Sequence, residues 1–127
     1  MSVTILVVDD DAELREFLTI LFATEGYAVF SASDEEQALA LFAANKIDII
    51  TLDLVMPKVN GIALLKKFRA VNPNFKCIIF SAALNHHTLS ENRGYLDKLV
   101  DKIIEKPASS KELLDGILEV MGLEAMD

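Results

Sequence analysis

Hydrophobic positions along this chain follow two alternating periods, and the alternation runs nearly from end to end. Thr4 to Val8, Cys77 to Phe80 and the stretch from about Asp48 to Leu52 are short aliphatic runs, the pattern of strands covered on both faces in a parallel sheet. Tyr27 to Ser31 and Lys102 to Glu105 complete a set of five predicted strands. Between them the apolar residues step by three and four. Leu14, Phe17, Leu18, Leu21 and Phe22 form one helical stripe, stopped at Gly26. Ala38, Leu41 and Phe42 carry a second, opened by Asp34 with Gln37 at the spacing of a capping box. Ile62, Leu64, Leu65 and Phe68 mark a third that ends before Asn72-Pro73-Asn74. Leu113, Leu114, Ile117, Leu118 and Met121 form the last, capped by Ser109 with Glu112 and closed at Gly122. From Ala82 to Asp101 the pattern predicts a loop and then a helix whose start it does not fix.

After the central strand, Pro57 and the run Lys58-Val59-Asn60-Gly61 signal a turn in which Gly61 is free to take positive φ. Five strands alternating with five helices on short loops imply right-handed crossovers and a doubly wound α/β fold. No repeat or linker divides the chain, so residues 1–127 are read as one domain.

Bulk properties narrow the function. With 127 residues, 52% of them hydrophobic, the chain holds one core and no separate output domain, and Met1 and the short tail after Gly122 fit a complete product. A net charge of −8 argues against direct nucleic-acid binding, which needs clustered cations. No basic leader or span-length apolar run is present, so a cytoplasmic protein is expected, with no membrane partner. The single cysteine, Cys77, lies in an apolar run and reads as core packing.

The candidate chemistry sits just past the predicted strands. Asp9 and Asp10 follow the first, Asp53 the third, Ser81 the fourth and Lys106 the fifth. In a parallel sheet these ends share one rim, where ligands bind. Carboxylates gathered there repel: at about 4 Å and an effective dielectric near 20, each like-charged pair costs on the order of 4 kcal/mol. A hard divalent ion such as Mg²⁺ answers that repulsion with oxygen ligands, and Lys106 adds a second positive charge that can pair with Asp53. A carboxylate so placed is a competent nucleophile towards phosphorus. Ser81 is expected to donate only once phosphoryl oxygens arrive. Plainer readings stand beside these. Asp9 and Asp10 could simply cap the first helix, with Glu13 three residues after Asp10. Asp53, Ser81 and Lys106 could be ordinary loop residues. His86-His87, adjacent in a polar loop, do not converge as metal ligands do and are read as solvated.

Taken together, Asp9-Asp10, the run Leu52-Asp53-Leu54-Val55-Met56-Pro57 followed by Asn60-Gly61, then Ser81-Ala82 and Lys106-Pro107, resemble the receiver domain of bacterial two-component response regulators, of the single-domain chemotaxis-regulator kind. The resemblance implies a flavodoxin-like fold, a five-stranded parallel sheet in the order 2-1-3-4-5 with five helices. It implies that Asp53 is the phosphoacceptor, charged by a histidine kinase or histidine phosphotransfer protein. Mg²⁺ would be held by Asp10, Asp53 and the Val55 backbone carbonyl, with Asp9 holding water or metal. Ser81 and Lys106 would contact the phosphoryl group, and the Lys106-Pro107 bond would be cis. The product would be a signalling domain that assists its own phosphorylation and dephosphorylation and changes affinity for a downstream protein.

The chain departs from that pattern at several points. Ile103 stands where receivers commonly carry Tyr or Phe three residues before the lysine, and Ala108 where many carry Phe, so the aromatic switch is absent. The interval from Ser81 to Lys106 is a few residues longer than in typical members, which bears on the fourth helix and its output surface. Val55 and Ala83, two residues past Asp53 and Ser81, cannot hydrogen-bond a hydrolytic water, which implies a long-lived aspartyl phosphate. Two other functions compete. A haloacid-dehalogenase-like phosphatase would need an acid two residues past its nucleophile, where this chain has Val55. A pseudo-receiver with a purely structural acidic rim is kept open by Ile103.

Overall fold

The computed structural model describes residues 3–82 and 98–123. In chain order the elements are β1 (Thr4–Val8), α1 (Ala12–Thr24), β2 (Ala28–Ala32), α2 (Glu35–Ala44), β3 (Ile49–Leu52), β4 (Val55–Met56), β5 (Val59–Asn60), α3 (Gly61–Val71), β6 (Lys76–Ser81), β7 (Lys102–Glu105) and α4 (Ser110–Val120). Five strands form one sheet in the order β2-β1-β3-β6-β7, with every pairing parallel. Counting only those strands, this is the expected 2-1-3-4-5 order. Four helices are described; the fifth, expected before β7, falls largely on residues outside the described set.

The continuous apolar runs are explained by burial on both faces. Leu6, Val8, Ile50, Leu52, Cys77 and Ile79 point to one side, where Ala38 and Phe42 of α2 and Leu64, Leu65 and Phe68 of α3 cover them. Ile5, Val7, Ile49, Ile78, Phe80 and Ile104 point to the other, under Leu18 and Phe22 of α1 and Leu113 and Ile117 of α4. Phe42 lies against Phe68 and Phe75 with ring centroids 4.9 and 5.3 Å apart, an aromatic cluster near the base of the first core.

Local signals end the helices where the sequence places them. Gly26, at φ 92°, follows α1, and the Gly26 and Tyr27 amides return to the Ala23 and Phe22 carbonyls at 3.0 and 3.1 Å, closing a Schellman motif. Ser109 and Glu112 form the complete capping box on α4. The cap on α2 is only half of one. Asp34 accepts from the Gln37 amide at 2.8 Å, but Gln37 Oε1 turns to the Ser33 amide and hydroxyl instead of reaching back to Asp34.

Two features of the turn after β3 differ from expectation. It contains a short antiparallel hairpin, with β4 and β5 pairing Val55 to Asn60 and Met56 to Val59. Its positive φ belongs to Lys58, at 63°, and Gly61 has none. Gly61 serves close approach instead: a Cβ there would lie 2.9 Å from Leu54 Cα and 3.1 Å from the Asp53 carbonyl oxygen. The start of α3 is thereby pressed against the backbone that carries Asp53.

Candidate functional site

Ladder hydrogen bonds run one residue past the strand ends and fix the site backbone. The Asp9 amide donates to the Ala32 carbonyl at 3.1 Å, Asp53 to Val8 at 3.0 Å and Lys106 to Ser81 at 2.9 Å. Asp9, Asp53 and Lys106 are therefore each the first residue beyond a strand, held by the neighbouring strand. All of them meet at the rim where β1 and β3 part towards opposite faces of the sheet.

Lys106 is the bridge. Its Nζ lies 2.7 Å from Asp9 Oδ2 and 3.3 Å from Asp53 Oδ2, and 5.5 Å from the centre of the Phe80 ring. Lys106 thus pairs with Asp9 more closely than with Asp53. The Lys106-Pro107 bond is cis, as the resemblance implied. Asp53 is buried, and its Oδ1 accepts from the Val55 amide at 2.9 Å and from Ser81 Oγ at 2.5 Å. Ser81 also receives the Leu54 amide, at 3.3 Å. This corrects the expectation that Ser81 acts only on arriving oxygens: its hydroxyl already holds the carboxylate, because complete burial leaves it no water to turn to.

Asp9 is buried too, and its Oδ1 accepts from the Asp11 amide at 3.0 Å. Burial pushes the Asp9 carboxyl above its ordinary range, against the opposing pull of Lys106 and the Asp11 amide. Burial also works to lower Lys106, but the hydrogen bond and charge of Asp9, joined by Asp53, outweigh it and raise the ammonium above its ordinary value. Lys106 therefore stays charged at neutral pH. Asp10 is exposed. It is not the helix cap: Asp11 is, accepting from the Glu13 and Leu14 amides at 3.0 and 3.2 Å. With Asp11 in that role, Asp10 is left to face the rim. The sequence carries the cap signal in three consecutive acids ahead of an apolar stripe, of which the third, Asp11, is the one that caps.

One oxygen from each of Asp9, Asp10 and Asp53 lies within 4.8 Å of the others. Three carboxylates and one ammonium leave a formal excess of two negative charges, which a divalent cation neutralises. The donors are hard oxygens, one set is exposed, and the site suits Mg²⁺ with part of its water shell retained. Val55 lies in β4 with its side chain 57% exposed, and Ile103, in β7, is exposed as well. Ala83 and His86-His87 lie outside the described residues.

The chain is similar to known proteins in sequence and fold. The family model described as response regulator receiver domain matches residues 5–118. A response regulator MprA from Mycobacterium sp. (strain KMS) is 35% identical over 114 residues, covering 90% of this chain and 48% of that protein. The chain thus spans about half the length of such curated relatives. Among solved structures, the Francisella response regulator 1452 receiver domain is 32% identical with a TM-score of 0.81, over 95% of this chain and 98% of that one. A CheY-like receiver domain protein from Methanospirillum hungatei JF-1 is 26% identical with a TM-score of 0.85, over 94% and 93%. Fold, rim and sequence agree that this chain belongs to the response regulator receiver domain family, the phosphoaspartate-signalling modules of two-component systems.

Proposed function

We propose that Asp53 accepts a phosphoryl group from a histidine kinase or histidine phosphotransfer protein, and that the resulting aspartyl phosphate changes affinity for a downstream protein. The observation that carries this reading is the position of Asp53: a buried carboxylate with Lys106 Nζ at 3.3 Å and Ser81 Oγ at 2.5 Å, next to two further acids. A carboxylate oxygen of Asp53 attacks phosphorus, the new P–O bond forms as the donor's P–N bond breaks, and the imidazole leaves. Asp9, Asp10, Asp53 and the Val55 backbone carbonyl are the ligands for Mg²⁺, which when bound offsets the charge on the phosphoryl oxygens. Lys106 moves from its carboxylate pair to one of those oxygens, and Ser81 transfers its hydrogen bond from Asp53 to another.

The chain's role is signalling, and it assists its own aspartyl phosphorylation and dephosphorylation. Its place is the cytoplasm; no helix among the described residues is long and apolar enough to cross a membrane. Its net charge of −8 points to protein partners over nucleic acid. Incubation with acetyl phosphate and Mg²⁺, followed by intact-mass measurement, tests the reading. Wild type gains a single phosphoryl adduct and Asp53→Asn gains none; an adduct that survives in the mutant overturns the assignment.

A further inference from the structure

Arg15, in the first turn of α1, donates from Nη1 to the carbonyl oxygen of Asp9 at 2.8 Å. A cation at a helix N-terminus faces the positive end of the helix dipole, so helix stability alone does not favour it there. The contact accounts for the last polar group of Asp9, whose amide is bound to Ala32 and whose carboxylate oxygens are bound to the Asp11 amide and Lys106. That carbonyl belongs to the planar peptide joining Asp9 to Asp10, so fixing its oxygen fixes the rotation of the plane and hence the direction in which Asp10 leaves the chain. Asp10 is exposed and has no side-chain hydrogen bond of its own among the described residues, so nothing else aims it.

We infer that Arg15 is a positioning residue for the divalent cation: by clamping the Asp9–Asp10 peptide it presents the Asp10 carboxylate to the rim. The inference rests on the metal-binding reading above. Its sign sets it apart from simple electrostatics. Arg15 as a mere nearby positive charge would weaken cation binding, and its removal would tighten Mg²⁺. Arg15 as a clamp does the opposite, and its removal loosens Mg²⁺ by roughly 10-fold or more, as loss of outer-shell support does at other metal sites.

The experiment is calorimetric titration of MgCl₂ into the protein without phosphodonor, on wild type, Arg15→Met, Arg15→Ala and Arg15→Lys, with thermal midpoints measured alongside. Arg15→Met retains the apolar stem and a good helix former, so either it or the alanine variant provides a folded test. The expected result is a roughly 10-fold weaker Mg²⁺ affinity in both, partial recovery in Arg15→Lys, and a normal maximal rate of acetyl-phosphate labelling once Mg²⁺ is raised to saturation. Affinity equal to wild type or tighter in a folded Arg15→Met or Arg15→Ala overturns the inference. Absence of Mg²⁺ binding in wild type is a different failure, that of the metal site itself.

Discussion

Ser81 Oγ donates to Asp53 Oδ1 across 2.5 Å between two buried side chains, so the hydroxyl at the end of β6 and the proposed acceptor just past β3 are already joined. The same oxygen receives the Leu54 amide at 3.3 Å. Ser81→Ala removes the donor to Asp53 and strands that amide. The expected cost is about 1–3 kcal/mol, the price of unsatisfied groups in a dry site. Urea unfolding of wild type and variant measures it, and a loss of only a few tenths would mean the hydroxyl is not shared in this way.

Lys58 and Gly61 divide the work of the turn after β3 in a way the sequence does not announce. A non-glycine residue at φ 63° costs roughly 1–2 kcal/mol relative to glycine, part of which returns through the greater freedom of glycine in the unfolded chain. Lys58→Gly should therefore stabilise the fold by up to about 1 kcal/mol. A decrease in the urea midpoint would show instead that the lysine side chain holds the hairpin.

Gly61→Ala has the opposite expectation. The added methyl meets Leu54 Cα at 2.9 Å, and backbone cannot move aside as a flexible side chain can. A loss of about 1–3 kcal/mol is expected, together with slower labelling of the displaced Asp53 by acetyl phosphate. Unfolding and labelling both unchanged would rule out the close approach.

What could be read in advance follows from where tertiary contacts decide. The central strands β1, β3 and β6 were legible because burial on two faces forces an unbroken apolar run, as in Ile5 to Val8, and the rim followed because parallel strands must end together. The local choices were less legible. Asp10 and Asp11 offer the helix the same side chain, and only the backbone trajectory out of β1 makes Asp11 the cap. Gly61 was the natural candidate for positive φ, yet packing against Leu54 claimed it, and the conformation fell to Lys58. The engagement of Ser81 at rest could not be read from spacing, since it depends on a distance between strands that are 28 residues apart in sequence.

Val55 presents an exposed hydrocarbon side chain two residues past Asp53, the proposed acceptor, with no group to orient an attacking water. The aspartyl phosphate should therefore decay slowly, on a scale of minutes or longer in Mg²⁺ buffer. Val55→Asn, which supplies a hydrogen-bonding side chain at the same place, should shorten it severalfold. Phosphate release followed after removal of acetyl phosphate provides the half-lives; a wild-type value of seconds would contradict the expectation.

Cys77 connects the fold to pH. The thiol is completely buried in β6, and burial pushes its pKa up to about 12, with Arg69 opposing and Asp101 assisting. In the unfolded chain a thiol ionises near 8.5, so between about 9 and 12 the folded protein keeps a proton that the unfolded protein has lost. Stability conferred by that retained proton is full below the unfolded pKa and falls as pH rises through the window, by up to about 1.4 kcal/mol per unit. Other groups titrate there as well, so the measurement is a difference. Wild type and Cys77→Val, unfolded in urea at a series of pH values from 8 upward, should diverge with wild type losing ground as the solution becomes more alkaline. Native wild type should also resist iodoacetamide at pH 8 and react only when unfolded, because the thiolate is the nucleophile and neither charge nor reagent reaches this position in the fold. Parallel stability profiles, or alkylation of the native protein at the rate of an exposed thiol, would show that the strand opens to solvent on its own.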